Sequence, residues 1–166
     1  MSFLAVFNPD WWLFIHLVGV FGFLITHGVS VSVALRLRNE PDRERIRQML
    51  SFSGSTIWWM YLTLAVLTVG GILRATSYAS GIYWKQAWPK VSLGVLFVAM
   101  ALMGAIARPY YQGIKAACEL RPSGEPRVSD EDLRARLRGW QPWAITIVGF
   151  AALLALLSMM VFKKPA

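Results

Sequence analysis

The chain alternates between long stretches without charged residues and short segments rich in arginine. Four stretches contain no Asp, Glu, Lys or Arg, and they cover residues 11–35, 48–73, 91–107 and 139–162. A helix that crosses a bilayer needs about 20 mostly apolar residues, within a range of about 17–25. Each stretch reaches that length, and together they make up more than half of the 166 residues. The pattern therefore predicts four membrane-spanning helices.

Residue types that begin and end helices set the limits of these spans. Asn8 is suited to cap the first helix, with Pro9 in its first position and Asp10 at the positive end of its dipole. Pro109 is expected to kink or end the third helix, because proline removes a backbone donor and crowds the preceding turn. The alternative is that residues 110–120 continue as helix beyond the membrane. We place the four spans at about residues 10–37, 55–78, 89–108 and 142–162.

Two charged segments, residues 41–50 and 130–138, predict short helices on one membrane face. The other connections are short, which is typical of up-down packing. We therefore expect residues 1–166 to form a single all-α transmembrane domain, an up-down four-helix bundle with short interfacial cytoplasmic helices. Small residues predict close helix packing at Gly28, Ser32, Gly70, Gly71, Ala101, Gly104, Ala105, Gly149 and Ala152.

Basic residues are unevenly divided between the two sides of the predicted membrane. The connections 36–47 and 108–138 hold five and seven Lys or Arg, which makes twelve, whereas the other side holds five. Cytoplasmic connections carry an excess of Lys and Arg. We therefore place loops 36–54 and 109–140 in the cytoplasm and both termini outside. Residues 1–10 have no Lys or Arg and no small-residue cleavage site, so we expect the first span to be retained.

The tryptophans support this register of the spans. An indole ring has an apolar body and a polar N–H, so tryptophan collects where a membrane meets water. Four fall at the outer ends of the first and third spans, and four at the inner ends of the second and fourth: Trp11, Trp12, Trp84 and Trp88, then Trp58, Trp59, Trp140 and Trp143.

Composition excludes several classes of protein. Apolar residues make up 56% of the chain and charged residues 16%, whereas roughly 25% is charged in soluble domains. The net charge of +8 would suit nucleic acid, but the basic residues flank the spans, where they serve topology and anionic headgroups. The single cysteine, Cys118, excludes an internal disulfide. We expect the lipid bilayer as a partner and no nucleic acid.

The spans hold few groups that perform chemistry. Asp10, at the edge of the first span, is the only carboxylate there, which disfavours a proton-coupled transporter. The sequence contains no zinc-protease motif, no phosphate-binding glycine loop and no arrangement typical of a Ser-His-Asp triad, so we expect no enzymatic activity. Arg74 is expected to reach lipid headgroups, with an ion pair to Asp10 as the alternative.

Two histidines in the first span are the candidate cofactor ligands. His16 and His27 are eleven residues apart, which places them on one helix face, about 16 Å from each other. Intramembrane ionisable residues are candidates for function, and haem b or copper is the alternative here to hydrogen-bonded packing. One metal ion or haem cannot take both histidines as ligands at this distance. Two stacked haems with two histidine ligands each would need four histidines, and therefore a parallel homodimer. Met60, Met100 and Met103 are further candidate metal ligands, although methionine also fills apolar cores.

A resemblance to a known family rests on two short motifs. They are His-Leu-Val-Gly at residues 16–19 and Arg-Pro-Tyr-Tyr at residues 108–111, together with the basic connection after the first span. The chain resembles an uncharacterised group of small bacterial four-span membrane proteins that are distantly similar to copper-resistance D proteins. The resemblance covers most of the chain and implies a bacterial inner-membrane protein.

These observations predict a non-enzymatic inner-membrane protein, an accessory or assembly subunit of a larger membrane complex. The reasons are the scarcity of reactive groups, the small extramembrane segments and the many helix faces that can pack against others. Its partners would be other membrane subunits or a second copy of the chain. The alternative is a membrane protein that binds haem b or copper through His16 and His27.

Overall fold

The structure is a computed structural model, and it describes residues 8–162. The chain forms α1 (Pro9–Leu37), α2 (Arg43–Ser77), a 3₁₀ helix (Tyr78–Lys85), α3 (Ala87–Cys118), α4 (Asp130–Leu137) and α5 (Gln141–Val161). Four helical segments are long and apolar enough to cross a membrane. The predicted all-α four-helix bundle is therefore confirmed. Lys163 and Lys164, which the orientation argument counts on the outer side, lie outside the described residues.

The four long helices form a ring in which neighbours run in opposite directions. α1 packs mainly on α2 and α3 mainly on α5, while contacts of α1 with α5 and of α2 with α3 close the ring. We call the end that carries residues 36–50 and 108–140 the basic end. The opposite end carries the 3₁₀ helix.

The first helix begins as its sequence predicts. The side chain of Asn8 accepts a hydrogen bond from the backbone N–H of Asp10, and Pro9 occupies the first turn. Ser129 caps α4 in the same way, by accepting from the backbone N–H of Asp132. Both caps satisfy donors that an α-helix leaves free at its start.

α2 is one continuous helix, and the prediction of separate helices at residues 41–50 and 55–78 is wrong. The segment between them contains one glycine and no proline, so nothing in it ends a helix. The hydroxyl groups of Ser55 and Thr56 donate to carbonyls one turn earlier, at 2.7 and 2.8 Å. At 1.5 Å per residue, the 35 residues are about 52 Å long, well beyond the roughly 30 Å of a hydrocarbon core.

α3 follows the alternative given for residues 110–120 and continues as helix beyond its predicted span. It runs through Pro109 to Cys118, so the proline does not end the helix. Tyr110, Ile114 and Ala117 follow at helical spacing, and all three are buried. We conclude that burial of this apolar face outweighs the loss of one backbone hydrogen bond at the proline.

The main apolar core lies at the basic end. Its most buried side chains come from all five helices or their ends and are 0–3% exposed: Leu37, Ile46, Ile114, Ala117, Cys118, Leu133, Leu137 and Ile145. Among the described residues, α3 has no buried position between Pro89 and Tyr110, and α5 has none beyond Gly149. The α3–α5 pair is therefore well enclosed only near the basic end.

One arginine connects three helices at this core. Arg43, at the start of α2, donates to the Asp130 carboxylate at 2.7 Å, to the Ala117 carbonyl at 3.0 Å and to the Val128 carbonyl at 2.5 Å. Ala117 lies in the last turn of α3, where carbonyls lack partners within the helix. The guanidinium group thus joins the beginnings of α2 and α4 to the end of α3.

Glycine allows the backbones of α1 and α2 to approach closely. A Cβ atom at Gly19 would overlap the backbone of Leu67, and one at Gly70 would lie 2.8 Å from the backbone nitrogen of His16. These distances leave no room for a methyl group at either position. Gly28 differs, because a Cβ atom there would meet nothing within 4 Å. The packing role expected from Gly70 is confirmed, whereas Gly28 packs against no other helix.

The first prediction concerns this contact. Gly19→Ala should force α1 away from α2 and lower the free energy of unfolding by about 1–3 kcal/mol, as overpacking does elsewhere. Gly28→Ala is the matched control, and it should leave stability unchanged or slightly higher because alanine favours helix. Unfolding of the purified protein in detergent micelles measures both. Equal stability of the two variants would contradict the packing.

Candidate functional site

His16 is held by a hydrogen bond to the neighbouring helix. Its Nδ1 lies 2.6 Å from the carbonyl oxygen of Leu67, and the ring is half-buried. A carbonyl only accepts, so Nδ1 carries the proton and Nε2 keeps its lone pair. Gly71 leaves room for the His16 ring beside the Leu67 carbonyl, since a Cβ atom at Gly71 would lie 3.0 Å from Nδ1. The interaction therefore depends on a glycine four residues after the acceptor.

His27 sits against a glycine of a different helix. It is 7% exposed, and its ring stacks on Phe23 with centroids 5.5 Å apart. A Cβ atom at Gly149 of α5 would lie 2.6 Å from Nε2. Nε2 is buried and has no hydrogen-bond partner within the described part of the chain. This buried nitrogen is costly unless a donor or acceptor reaches it.

The two imidazoles therefore contact different helices, although they project from one face of α1. His16 packs on α2 and His27 packs on α5. Within residues 8–162, no three His, Cys, Asp or Glu side chains converge on a possible metal position. The described geometry does not bring both histidines to one ion.

The methionines remain separate candidates. Met60 is half-buried on α2, and Met103 is half-buried against the core of the basic end. Met100 is 40% exposed on α3. A role for any of them as a metal ligand stays a prediction.

The space around each imidazole decides which one fits a metal or haem iron. The space between Nε2 of His27 and Gly149 is too small for a methyl group, because a Cβ atom at Gly149 would lie 2.6 Å from Nε2. An ion therefore fits there only if α5 moves. His16 is different, because its Nδ1–H already donates to a carbonyl. Histidines that bind metals commonly have this arrangement, which orients the ring and leaves Nε2 for the metal. Of the two histidines, only His16 has the hydrogen-bonded Nδ1 that is common in metal-binding histidines, and the contact of His27 with Gly149 leaves no space for an ion.

An ion pair closes the opposite end of the α1–α2 pair. Arg74 donates to the Asp10 carboxylate at 3.1 Å, and its guanidinium carbon lies 4.5 Å from the centre of the Tyr78 ring. The expectation that Arg74 reaches lipid headgroups gives way to its alternative, the pair with Asp10. The Arg74 side chain is 18% exposed, which leaves little of it for headgroups.

A second polar cluster, which we call the Arg38 corner, lies at the basic end between α1, α3 and α5. Arg38 donates to the carbonyl of Gly139 at 2.6 Å, and its guanidinium carbon is 5.7 Å from the centre of the Trp143 ring. Tyr110 of α3 is 8% exposed, and the positive charge of Arg38 acts on its phenol group. The Tyr110 hydroxyl is buried and lacks a partner among the described residues.

Sequence reasoning missed the Arg38 corner as a site. Its residues come from three helices and share no motif. The one signal in the sequence is the concentration of arginine in the connection after α1, which predicts topology and contact with anionic headgroups in general but no particular site. Tyr110 belongs to the Arg-Pro-Tyr-Tyr motif at residues 108–111, which predicts no binding role for it.

Comparisons with known proteins add no family. No family model, no curated protein and no solved structure matches this chain. The resemblance based on residues 16–19 and 108–111 therefore stays a prediction, and function has to be argued from the geometry of the residues themselves.

Proposed function

We propose that this chain is a non-enzymatic multi-pass membrane protein, an accessory or assembly subunit that docks on other membrane helices through α3. The observation that carries the proposal is a stripe of small, exposed residues along the part of α3 that packs least within the chain. The stripe consists of Gly94, Ala101 and Ala105.

The spacing of these residues places them on one face of the helix. Gly94 and Ala101 are seven residues apart and Ala105 follows four later, so all lie within about 40° around the axis. A Cβ atom at Gly94 would meet nothing within 4 Å. Val98, between them, is 59% exposed. The stripe is therefore open to whatever surrounds the bundle.

Small residues suit another helix better than they suit lipid. Transmembrane helices associate by close packing, and small residues let their backbones approach. A glycine within a helix costs about 0.5–1 kcal/mol relative to alanine, which a contact of this kind would offset. The glycines of α1 and α2 illustrate the effect inside this chain. We infer that Gly94 and Ala101 serve the same purpose toward a partner.

We further propose that the protein lies in a bacterial inner membrane with the basic end in the cytoplasm. The twelve basic residues on that side support this orientation. The exposed indoles of Trp58, Trp59, Trp140 and Trp143, each more than half exposed, support a membrane interface near that end without distinguishing its side. The bacterial origin rests on the resemblance of residues 16–19 and 108–111.

The second proposal is a role in haem b or copper binding through His16. The observation that favours it is the hydrogen bond from Nδ1 to the Leu67 carbonyl, which leaves Nε2 able to bind a metal. A second ligand would have to come from another chain or from a methionine. Bound iron or copper would supply electron transfer or metal transfer, and His16 would orient it.

The docking proposal is tested by enlarging the stripe. Gly94→Leu should fill the space that a partner helix needs, and overpacking of about 1–3 kcal/mol should weaken association about tenfold or more. The chain itself should fold normally because the position is open. Native electrophoresis of gently solubilised membranes measures the fraction in a larger assembly. Gly28→Leu on α1 is the control, since its surroundings are equally open.

Two outcomes would contradict docking through α3. One is a wild-type chain that migrates alone after mild extraction. The other is an equal loss of assembly in Gly94→Leu and Gly28→Leu, because the effect would then not be specific to α3.

The orientation is tested by labelling single cysteines in intact cells. In a Cys118→Ala background, Ser123→Cys at the basic end should react with a membrane-impermeant maleimide only after the membrane is opened. Lys85→Cys at the opposite end should react in intact cells. The reverse pattern would place the basic end outside.

The cofactor proposal is tested by the reduced-minus-oxidised visible spectrum of gently purified protein, with metal analysis of the same sample. A haem band or stoichiometric copper is expected, and His16→Ala should lose it. His27→Ala should retain it, because Nε2 of His27 faces α5. Retention in both variants would end this proposal.

A further inference from the structure

The Arg38 corner lies where the bilayer meets water. α5 has 21 residues and is therefore about 31 Å long, just enough to cross a hydrocarbon core of roughly 30 Å. Its first turn must then lie at the membrane boundary. The hydroxyl of Ser92 contacts the sulfur of Met159, and counting 18 residues along each antiparallel helix pairs Tyr110 with Gln141. Tyr110 and the start of α5 thus share the depth of lipid headgroups.

Arg38 is fixed in place but keeps most of its donors. A guanidinium group has five N–H bonds, and one of them donates to Gly139. In the described part of the chain, no carboxylate forms an ion pair with Arg38. Four acidic side chains of the basic end pair with other arginines, as Asp130 does with Arg43 and Glu119 with Arg127. Glu40, which is nearer in sequence, accepts from the backbone N–H of Asp42 instead. The positive charge at the corner is therefore not neutralised by the protein.

Two further groups at the corner favour an anion. The hydroxyl of Tyr110 is a donor without a partner among the described residues, and because it is fully covered an anion reaches it only when the side chains over it move. The beginning of α5 adds a positive helix end, and its N-cap residue, Trp140, makes no side-chain capping bond. Exposed Arg36 and Arg138 increase the positive potential around it.

The apolar surroundings identify the kind of anion. Trp140 and Trp143 are 65% and 52% exposed beside the charged groups. Ile147, one turn further along α5, is 63% exposed toward the hydrocarbon region. A ligand at the corner would meet cationic donors at one end and aromatic and aliphatic surface at the other, which matches a phospholipid.

We propose that the Arg38 corner binds the phosphate group of an anionic phospholipid of the phosphatidylglycerol class. Arg38 donates to the phosphate oxygens, and Trp143 contacts the glycerol and upper acyl chain. The hydroxyl of Tyr110 donates as well once the side chains that cover it move aside. This site goes beyond the proposed docking function and uses none of the residues of the α3 stripe.

The test measures lipid binding to the purified full chain by native mass spectrometry in detergent. Phosphatidylglycerol should bind more tightly than phosphatidylcholine of the same acyl chains. Arg38→Gln should weaken phosphatidylglycerol binding about tenfold, because hydrogen bonds to charged groups are among the strongest. Arg121→Gln removes the same charge from the exposed linker and should change binding less than about twofold, since distant surface charges are screened.

A second variant guards against misfolding of Arg38→Gln. Tyr110→Phe keeps the buried ring and removes only the hydroxyl, so the fold should persist while phosphatidylglycerol binding weakens severalfold. Helix content by circular dichroism confirms the fold of each variant.

Several results would overturn the proposal. They are equal binding of the two lipids to the wild type, equal losses in Arg38→Gln and Arg121→Gln, and unchanged binding in Tyr110→Phe. Displacement of phosphatidylglycerol by excess inorganic phosphate would assign the corner to free anions instead. These lipid-binding results do not depend on the Gly94→Leu result, so the lipid-site proposal and the docking proposal can be contradicted separately.

Discussion

The close approach of α1 and α2 at Gly19 and Gly70 is the contact on which the other helix positions depend. Lipid chains are as apolar as leucine, so helices in a bilayer are held together by close packing and hydrogen bonds between them. At this distance His16 reaches the carbonyl of Leu67. The same pairing places Arg74 beside Asp10 at the other end of the two helices. Glycine thus creates the geometry, and polar contacts stabilise it at two depths.

The second helix pair follows a different principle. α3 and α5 are anchored at the basic end, where the long α2 and α3 extend beyond the membrane and bury apolar side chains with α4. Arg43 ties the ends of these helices together there. Further into the membrane, the described residues of α3 and α5 are open to the surroundings. A packed base with a more open α3–α5 pair would suit the docking role proposed for α3.

The two histidines pack on similar surfaces but differ in their hydrogen bonds. Each ring lies over a glycine of a neighbouring helix, Gly71 for His16 and Gly149 for His27. Only His16 finds a carbonyl within hydrogen-bond distance, and this leaves its other nitrogen for a ligand. His27 is sealed against α5 with Nε2 lacking a partner in the described structure. Identical residue types on one helix face therefore differ in what they can bind, because the neighbouring backbones differ.

The sequence by itself determined the four long apolar helices and the cap at Asn8. These features depend on local composition and on short-range hydrogen bonds. Only the tertiary structure decided that α3 passes through Pro109, because burial in a core shared by several helices outweighs a local breaker. α2 is continuous for a local reason, since no residue between its two predicted parts ends a helix. The tertiary structure also decided which helix each histidine contacts and brought Arg38 to Gly139 and Trp143. Positions far apart in the sequence meet there, and no pattern along a single helix encodes that meeting.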